Sequence, residues 1–298
     1  MNALNLRAYS IDRVTTVVLT LLSLCLIAWA EEVELRIETD RQLESGRVLD
    51  ADQVNRLEIQ LVTTPTDIET RTRLLGYYFQ FEDEKETRAR ARHIIWIIEN
   101  APSSVIAGLP EASLDPSIDQ NAYKSGSHLW EQQVQGHPDD PAVLGNAAQY
   151  FWAHDRARAE MALKKAAELE PRNTRWFLKL GLLKFNQMRA TEGAQRVASA
   201  KEAIQYLEQS VALDARPEAR FNLLGSLAQA AYEAGDSEKA RCFANEVLDD
   251  AAKYRDHWNY GNAIYEGHLV LGMLALSSGD TEAAKSHLLA SGKSPGSP

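Results

Sequence analysis

The stretch DPAVLGNAAQYFWAHDRARAEMALKKAAELEPRN, residues 140–173, decides the fold of this chain. Its first half places apolar or small side chains on one face of an α-helix, beginning with Val143 and Ala147. Its second half repeats that spacing from Ala159 onward and stops before Pro171, which cannot continue a helix. The stretch therefore predicts two helices joined by a short turn.

The same helix pair recurs in the rest of the chain, so that four units cover about residues 140–173, 174–217, 218–254 and 265–298. Small residues recur at matching places, as glycine in the first helix of three units and as alanine in the second: Gly181, Gly225, Gly272, Ala203, Ala240 and Ala284. We expect each glycine to let the second helix of its pair lie close to the first.

The second unit is longer than the first. From Gly181 to Ala203 there are 22 positions, whereas Ala147 and Ala159 are 12 apart. Because loops tolerate insertions better than packed faces do, we expect the ten extra residues to lie between the two helices of this unit.

This repeat resembles the tetratricopeptide repeat (TPR), a helix–turn–helix unit, and in particular exported bacterial TPR-containing proteins. The resemblance implies an all-α fold, an α-solenoid of antiparallel helix pairs wound as a right-handed superhelix. It also implies that the first helices line a concave groove that binds a partner. Two units depart from the family pattern, with Ala215 and Ala252 where the family often has proline.

Upstream, residues 31–102 are predicted to form an N-terminal helical lobe with a degenerate TPR-like pair. Asp50 and Gln53 have the spacing of a capping box, which predicts a helix that ends near Pro65. The proline- and serine-containing residues 103–121 are predicted to be a loop that divides this lobe from the repeats of residues 122–292. Residues 293–298 are predicted to be a flexible tail.

The arginines of the N-terminal lobe follow a run of acidic residues. Glu84 and Glu86 stand four residues before Arg88 and Arg90, a spacing that forms ion pairs on a helix surface. We therefore interpret these arginines as a solvated helix face rather than a nucleic-acid-binding patch.

Composition supports a globular chain with no nucleic-acid partner. Hydrophobic residues make up 45% of the sequence, and 42 acidic against 32 basic residues give a net charge of −10. Phosphate binding draws its affinity from clustered lysine and arginine, which this balance does not supply.

The first thirty residues are predicted to be a secretory signal peptide. Arg7 and Arg13 precede an uncharged run over residues 14–30 that closes with Ala28-Trp29-Ala30. The chain is thus expected in the periplasm or outside the cell, or anchored to the inner membrane by residues 14–30 if the segment is retained. Cleavage would leave Cys242 as the remaining thiol, and we expect it to be a small buried hydrophobe, with an intermolecular disulfide or a reactive thiol as alternatives.

No catalytic, metal or cofactor-binding motif stands out. None of the seven histidines is three or four residues from another, and Gly292-Lys293-Ser294, which resembles the end of a P-loop, follows a predicted helix instead of opening one. We therefore predict no enzyme activity, no metal site and no small-molecule cofactor. The alternative is an envelope enzyme with a site in the N-terminal lobe and a TPR docking module.

The TPR resemblance assigns groove positions in each unit. In chain order they are Leu144, Ala148, Phe151 and Trp152; Arg175, Leu178, Leu182 and Phe185; Asn222, Ser226 and Gln229; and Glu266, Leu269 and Met273. Their apolar and aromatic character suits a helix or an extended segment of a partner protein. An alternative remains open for Phe151, Trp152 and Phe185, which could instead be buried between repeats or under the long loop.

These patterns predict a non-enzymatic scaffold or adaptor of the bacterial cell envelope that binds a protein or peptide. A second alternative is a self-associating module, because the sequence after the last helix, SGKSPGSP, offers no polar capping helix.

The signal-peptide interpretation predicts one mature N-terminus. N-terminal sequencing of the protein recovered from a bacterial envelope fraction should read Glu31-Glu32-Val33, because cleavage follows Ala30. An intact N-terminus would show that the segment is retained as an anchor.

Overall fold

The computed structural model describes residues 33–295, which form thirteen α-helices, two short 3-10 helices and no β-strand. The predicted all-α fold is confirmed. The predicted signal segment, residues 1–30, and the last three residues lie outside the described part of the chain. The described helices include none that is both long and apolar enough to cross a membrane.

The chain divides into two compact units after Gly136. Unit 1 contains α1 (residues 33–47), α2 (Ala51–Thr63), α3 (Ile68–Tyr78), α4 (Glu84–Asn100) and α5 (Gln120–Gly136). Unit 2 contains α6 (Pro141–Phe151), α7 (Arg156–Leu169), α8 (Thr174–Arg189), α9 (Gly193–Leu213), α10 (Pro217–Glu233), α11 (Ser237–Ala251), α12 (Tyr260–Ser277) and α13 (Thr281–Ser291).

Aspartate side chains begin many of these helices. An aspartate at the N-cap accepts a hydrogen bond from a backbone N–H of the first turn, which has no partner within the helix. The predicted capping box at Asp50 and Gln53 is present, with both of its hydrogen bonds. The other aspartate caps are Asp67, Asp83, Asp140, Asp155, Asp236 and Asp280.

In unit 2 each helix packs against the next one along the chain, and turns of three or four residues join the two helices of each predicted pair. The alanines predicted on the second helices of the first three pairs are fully buried: Ala159, Ala203 and Ala240. A Cβ added at Gly181 would collide with Leu207 on α9, as predicted for a glycine that faces its partner helix. Gly272 likewise faces α13, where His287 and Ala284 are its neighbours.

The prediction for Gly225 is wrong. The atoms nearest to a Cβ at this position belong to Glu266 on α12, the first helix of the following pair. Gly225 makes room for a side chain of the next pair, because α10 packs against α12 as well as against α11.

The predicted insertion in the second pair is also wrong. Only residues 190–192 separate α8 from α9. The extra residues lengthen both helices instead, to 16 in α8 and 21 in α9, compared with 11 in α6 and 14 in α7. Most of the sequence predicted to form a loop between these two helices is therefore helical.

A buried lysine ties three consecutive helices of unit 2 together. Lys184 of α8 is 6% exposed, and its Nζ lies 2.7 Å from Glu160 of α7 and 2.5 Å from Glu202 of α9. The two carboxylates compensate the cost of removing the ammonium group from water. The cluster fixes the register of α8 between its neighbours.

The boundary predicted at residues 103–121 differs from the one in the structure. Residues 101–119 lack α-helix, as expected, but they fold back onto unit 1, where Ile106 and Leu109 are buried. Arg90 of α4 donates hydrogen bonds to the carbonyl oxygens of Pro110, Glu111 and Ser113. The compact unit consequently extends through α5.

The prediction that the arginines of α4 form a solvated helix face is wrong for Arg90. Burial lowers the pKa of Arg90 to about 10, although the charge of Glu111 opposes this effect. Arg88 does pair with Glu84 as predicted, whereas Glu86 pairs with Lys85.

In unit 2, Cys242 is exposed, so the expectation of a buried thiol is wrong.

Two glycines allow the backbones of α1 and α3 to touch. An ideal Cβ at Gly46 would lie 2.0 Å from the carbonyl oxygen of Arg73, and one at Gly76 would lie 2.2 Å from that of Leu43. Backbone atoms in two helices cannot move aside as a side-chain end can. The crossing of α1 over α3 thus requires glycine at both positions.

We expect Gly76→Ala to lower the free energy of unfolding by about 1–3 kcal/mol, because the added methyl group overpacks this crossing. Urea denaturation followed by circular dichroism would measure the change. Gly136→Ala is the matched control, since nothing lies within 4 Å of a Cβ there and alanine favours the helix. Equal destabilisation by the two substitutions would contradict the proposed crossing.

Candidate functional site

The predicted groove residues all lie in unit 2 and differ in exposure. Four are buried: Leu144, Ala148, Phe151 and Phe185. Nine are half-buried: Trp152, Leu178, Leu182, Asn222, Ser226, Gln229, Glu266, Leu269 and Met273. Arg175 is exposed, and its guanidinium lies 4.8 Å from the centre of the Trp176 ring.

The two buried phenylalanines of this set belong to the packing of unit 2. Phe185 is 7% exposed within a hydrophobic cluster against which Leu178 and Leu182 also pack. Phe151 is 3% exposed, with its ring at the edge of Tyr150. For these two residues the structure matches the alternative interpretation, burial between helices, and it leaves Trp152 half-buried.

The half-buried positions of α10 and α12 do come together. A cavity of about 250 Å³, here called the groove cavity, combines three predicted residues with four that were not predicted. Its lining residues are Met188 and Arg189 of α8, Arg196 of α9, Gln229 and Glu233 of α10, and Leu269 and Met273 of α12. One surface thus draws on the second, third and fourth helix pairs.

Glu266 lies beside the groove cavity, in the space that Gly225 leaves open. Its Oε2 would be 1.7 Å from a Cβ at that position. Burial raises the pKa of Glu266, while the charge of Arg189 and a hydrogen bond from Gln229 act in the opposite direction. The carboxyl group, Gln229 and Arg189 therefore form one connected polar cluster.

Sequence reasoning missed both arginines of the cavity because they flank the turn between α8 and α9. Arg189 is the last residue of α8, and Arg196 lies in the first turn of α9. Both lie between Gly181 and Ala203, where the sequence predicted an insertion. Arg196 lies 3.6 Å from Glu233 and donates to the carbonyl oxygen of Thr191. Recognising this stretch as helical would have placed both side chains near the groove.

Asn222 is one predicted residue with an unusual environment. Its Oδ1 atom is buried and has no hydrogen-bond partner in the described part of the chain. It does not line the groove cavity.

Unit 1 holds a second cluster of titratable side chains. His93 of α4 is 3% exposed, and its Nε2 lies 3.0 Å from Oε1 of Glu58 on α2. The hydroxyl group of Tyr78 on α3 donates to the same oxygen at 2.7 Å. Arg71 of α3 donates from Nη1 to Nδ1 of His93 at 3.2 Å. Because a guanidinium has no acceptor, this contact requires an unprotonated Nδ1 and a proton on Nε2.

The charges of this cluster are stabilised by its own hydrogen bonds. Burial raises the pKa of Glu58, but hydrogen bonds from His93 and Tyr78 and the positive charge of Arg92 outweigh it and lower the pKa to about 2. Burial and the bond to Glu58 raise the pKa of Tyr78. The guanidinium of Arg71 stacks 3.8 Å from the centre of the Trp96 ring and donates to the carbonyl oxygen of Pro65.

A cavity of about 340 Å³ reaches Glu58 and Tyr78, and titratable groups beside a cavity are the usual setting of an acid–base site. A carboxylate with a pKa of about 2 is a poor proton acceptor near neutral pH, and a phenol with a raised pKa is a poor donor. Both ring nitrogens of His93 are engaged. The cluster thus holds α2, α3 and α4 together.

Within residues 33–295, no group of three or more histidine, cysteine, aspartate or glutamate side chains is arranged to hold a metal ion. Compared with models of known protein families, the chain matches none. A comparison with curated proteins likewise finds no significant match.

The Glu58 cluster predicts a pH dependence of stability. The folded pKa of Glu58 lies below its ordinary value of 4.5, so its contribution is complete above about pH 4.5 and is lost as the pH falls toward 2. Glu58→Gln should lower the free energy of unfolding at pH 7 by about 1–3 kcal/mol, because the variant loses a charged hydrogen-bond acceptor.

Urea denaturation of both proteins between pH 2 and 7 would show the difference shrinking below pH 4.5. Glu99→Gln, at an exposed position of α4, is the control and should have little effect at any pH. A difference that stays constant down to pH 2 would refute the assigned pKa.

Proposed function

We propose that unit 2 is a TPR-like α-solenoid that acts as a non-enzymatic scaffold or adaptor, binding a peptide or helix of a partner protein in its groove. The order of helix contacts supports this proposal. Beyond its own pair, α12 packs against both α10 and α11, and α10 packs against both α8 and α9. A first helix that contacts both helices of the preceding pair is what a stack of helix pairs requires.

The groove cavity is the single observation that carries the proposal. Its apolar wall consists of Met188, Leu269 and Met273, and methionine adapts its shape to varied ligands. The exposed Arg189 at the end of α8 supplies a positive charge at the same place, beside the carboxyl group of Glu266. This combination suits a partner segment that inserts one apolar side chain and carries an acidic group beside it.

We further propose that the protein works in the cell envelope, on the strength of the signal-peptide pattern in residues 1–30. The proposed partner is then a protein of the periplasm, the extracellular space or the periplasmic face of the inner membrane. The mature N-terminus predicted above tests this location independently of the groove.

Photo-crosslinking can identify the partner, and substitutions in the groove can then test where it binds. A photo-crosslinking amino acid at Leu269 should capture the partner, whereas the same group at the exposed Arg241 of α11 should not. We expect Met273→Glu to weaken binding of the captured partner at least tenfold, or about 1.4 kcal/mol, because a carboxylate replaces an apolar wall. Isothermal titration calorimetry would measure the dissociation constants.

Met161→Glu is the matched control, since Met161 is 67% exposed and lies on α7, the second helix of the first pair. Equal loss of affinity in both variants, or equal crosslinking at Leu269 and Arg241, would contradict the groove. Light scattering of the wild type should accompany the titration, because Leu276, Leu288 and Leu289 are 58–66% exposed and self-association is the alternative use of this unit. Capture of a second copy of the chain at Leu269 would favour that alternative.

A further inference from the structure

Two histidines of unit 2 meet although they are far apart in the sequence. His268 lies on α12 and His287 on α13, and their Nδ1 atoms are 3.1 Å apart. The ring centres are separated by 5.3 Å at an interplanar angle of 39°. At this distance one ring donates its N–H to the other, or both present lone pairs to a shared cation.

The packing of α12 against α13 produces this meeting. Gly272 is one helical turn after His268, and a Cβ there would lie 3.4 Å from the Cβ atom of His287. The absence of a side chain at Gly272 lets α13 approach at the level of the two imidazoles. Both histidines are half-buried, so their rings are held by the helices yet remain accessible.

The distance suits two ligands of one metal ion. Imidazole nitrogen binds Zn²⁺ at about 2.0–2.1 Å. With bonds of that length, nitrogens 3.1 Å apart subtend an angle of about 95–100° at the metal, between the octahedral and the tetrahedral values. Turning the rings about χ2, a torsion with a broad energy minimum, can aim both nitrogens at a common point.

The electrostatics favour the form that binds metal. Burial and the neighbouring His287 both lower the pKa of His268, which disfavours its imidazolium form. A neutral imidazole offers a lone pair, whereas an imidazolium does not.

The surroundings define the kind of metal. No third histidine, cysteine, aspartate or glutamate joins the pair in the described residues, so water must complete the coordination. A cavity of about 340 Å³ that His268 lines has room for it. The other walls are mostly apolar, with Leu269, Met273 and Leu288 among them, and Lys285 places one positive charge there. Two imidazoles without a carboxylate suit Cu²⁺, Ni²⁺ and Zn²⁺ and do not suit Ca²⁺ or Mg²⁺.

We propose that His268 and His287 form a binding site for a late first-row divalent metal ion, with Cu²⁺ bound most tightly. The ion joins α12 to α13 and so fixes the last helix of unit 2. Rules of histidine spacing within one helix miss such a site, because its two ligands come from neighbouring helices.

The test is a titration of the full chain, without a polyhistidine tag, with Cu²⁺ at pH 7.5. Electron paramagnetic resonance of the first equivalent should show coupling to two imidazole nitrogens. His268→Gln and His287→Gln should each weaken Cu²⁺ binding at least tenfold and remove that two-nitrogen pattern. His137→Gln, at an exposed histidine outside the pair, is the control and should leave both unchanged.

Circular dichroism will show whether the glutamine variants keep their helix content. If they do not, the wild-type spectrum at pH 7.5 decides, and coupling to two nitrogens supports the site. Coupling to one nitrogen or none in the wild type would overturn the proposal. Equal affinity in the wild type and both folded variants would overturn it as well and would leave a simple hydrogen bond between the rings.

Discussion

Close packing of small residues between successive helices is the constraint on which unit 2 depends. Ala159, Ala203 and Ala240 are fully buried, and Gly181 faces the side chain of Leu207 without a gap. Helices that approach this closely leave little space for large side chains at the contact, so larger apolar residues fill the volume beside it. The same constraint, in its extreme form, sets Gly46 and Gly76 at the crossing of α1 and α3.

That constraint also explains how the proposed binding surface forms. Because Gly225 has no side chain, the carboxyl group of Glu266 lies against α10. There it is close to Gln229 of α10 and Arg189 of α8. The groove cavity lies beside this cluster and takes its lining from three helix pairs. The proposed partner-binding site is thus a product of the packing of successive pairs.

The sequence predicted features that depend on local patterns. The capping box at Asp50 and the helix pairs after residue 140 could be recognised, because hydrogen bonds near in sequence and a helical period determine them. The site could be predicted only in part: Gln229, Leu269 and Met273 line the groove cavity, whereas Phe151 and Phe185 are buried.

The misses share a physical cause, which is contact between distant parts of the chain. The contacts of Arg90 with the carbonyl oxygens of residues 110–113 draw a proline-rich segment into unit 1. The meeting of His268 with His287 depends on the register of two helices, which no spacing within one helix reports. In α8 and α9, the repeat spacing indicated how many residues were extra but not where they lie, and the structure places them in two longer helices.

Hydrogen–deuterium exchange of the complex with the captured partner, compared with the protein alone, tests most directly whether the groove side of unit 2 receives the partner. We expect slower exchange in the C-terminal half of α10, in the middle of α12 and around the turn between α8 and α9. Protection confined to α7 and α11, with no change in these three segments, would contradict it.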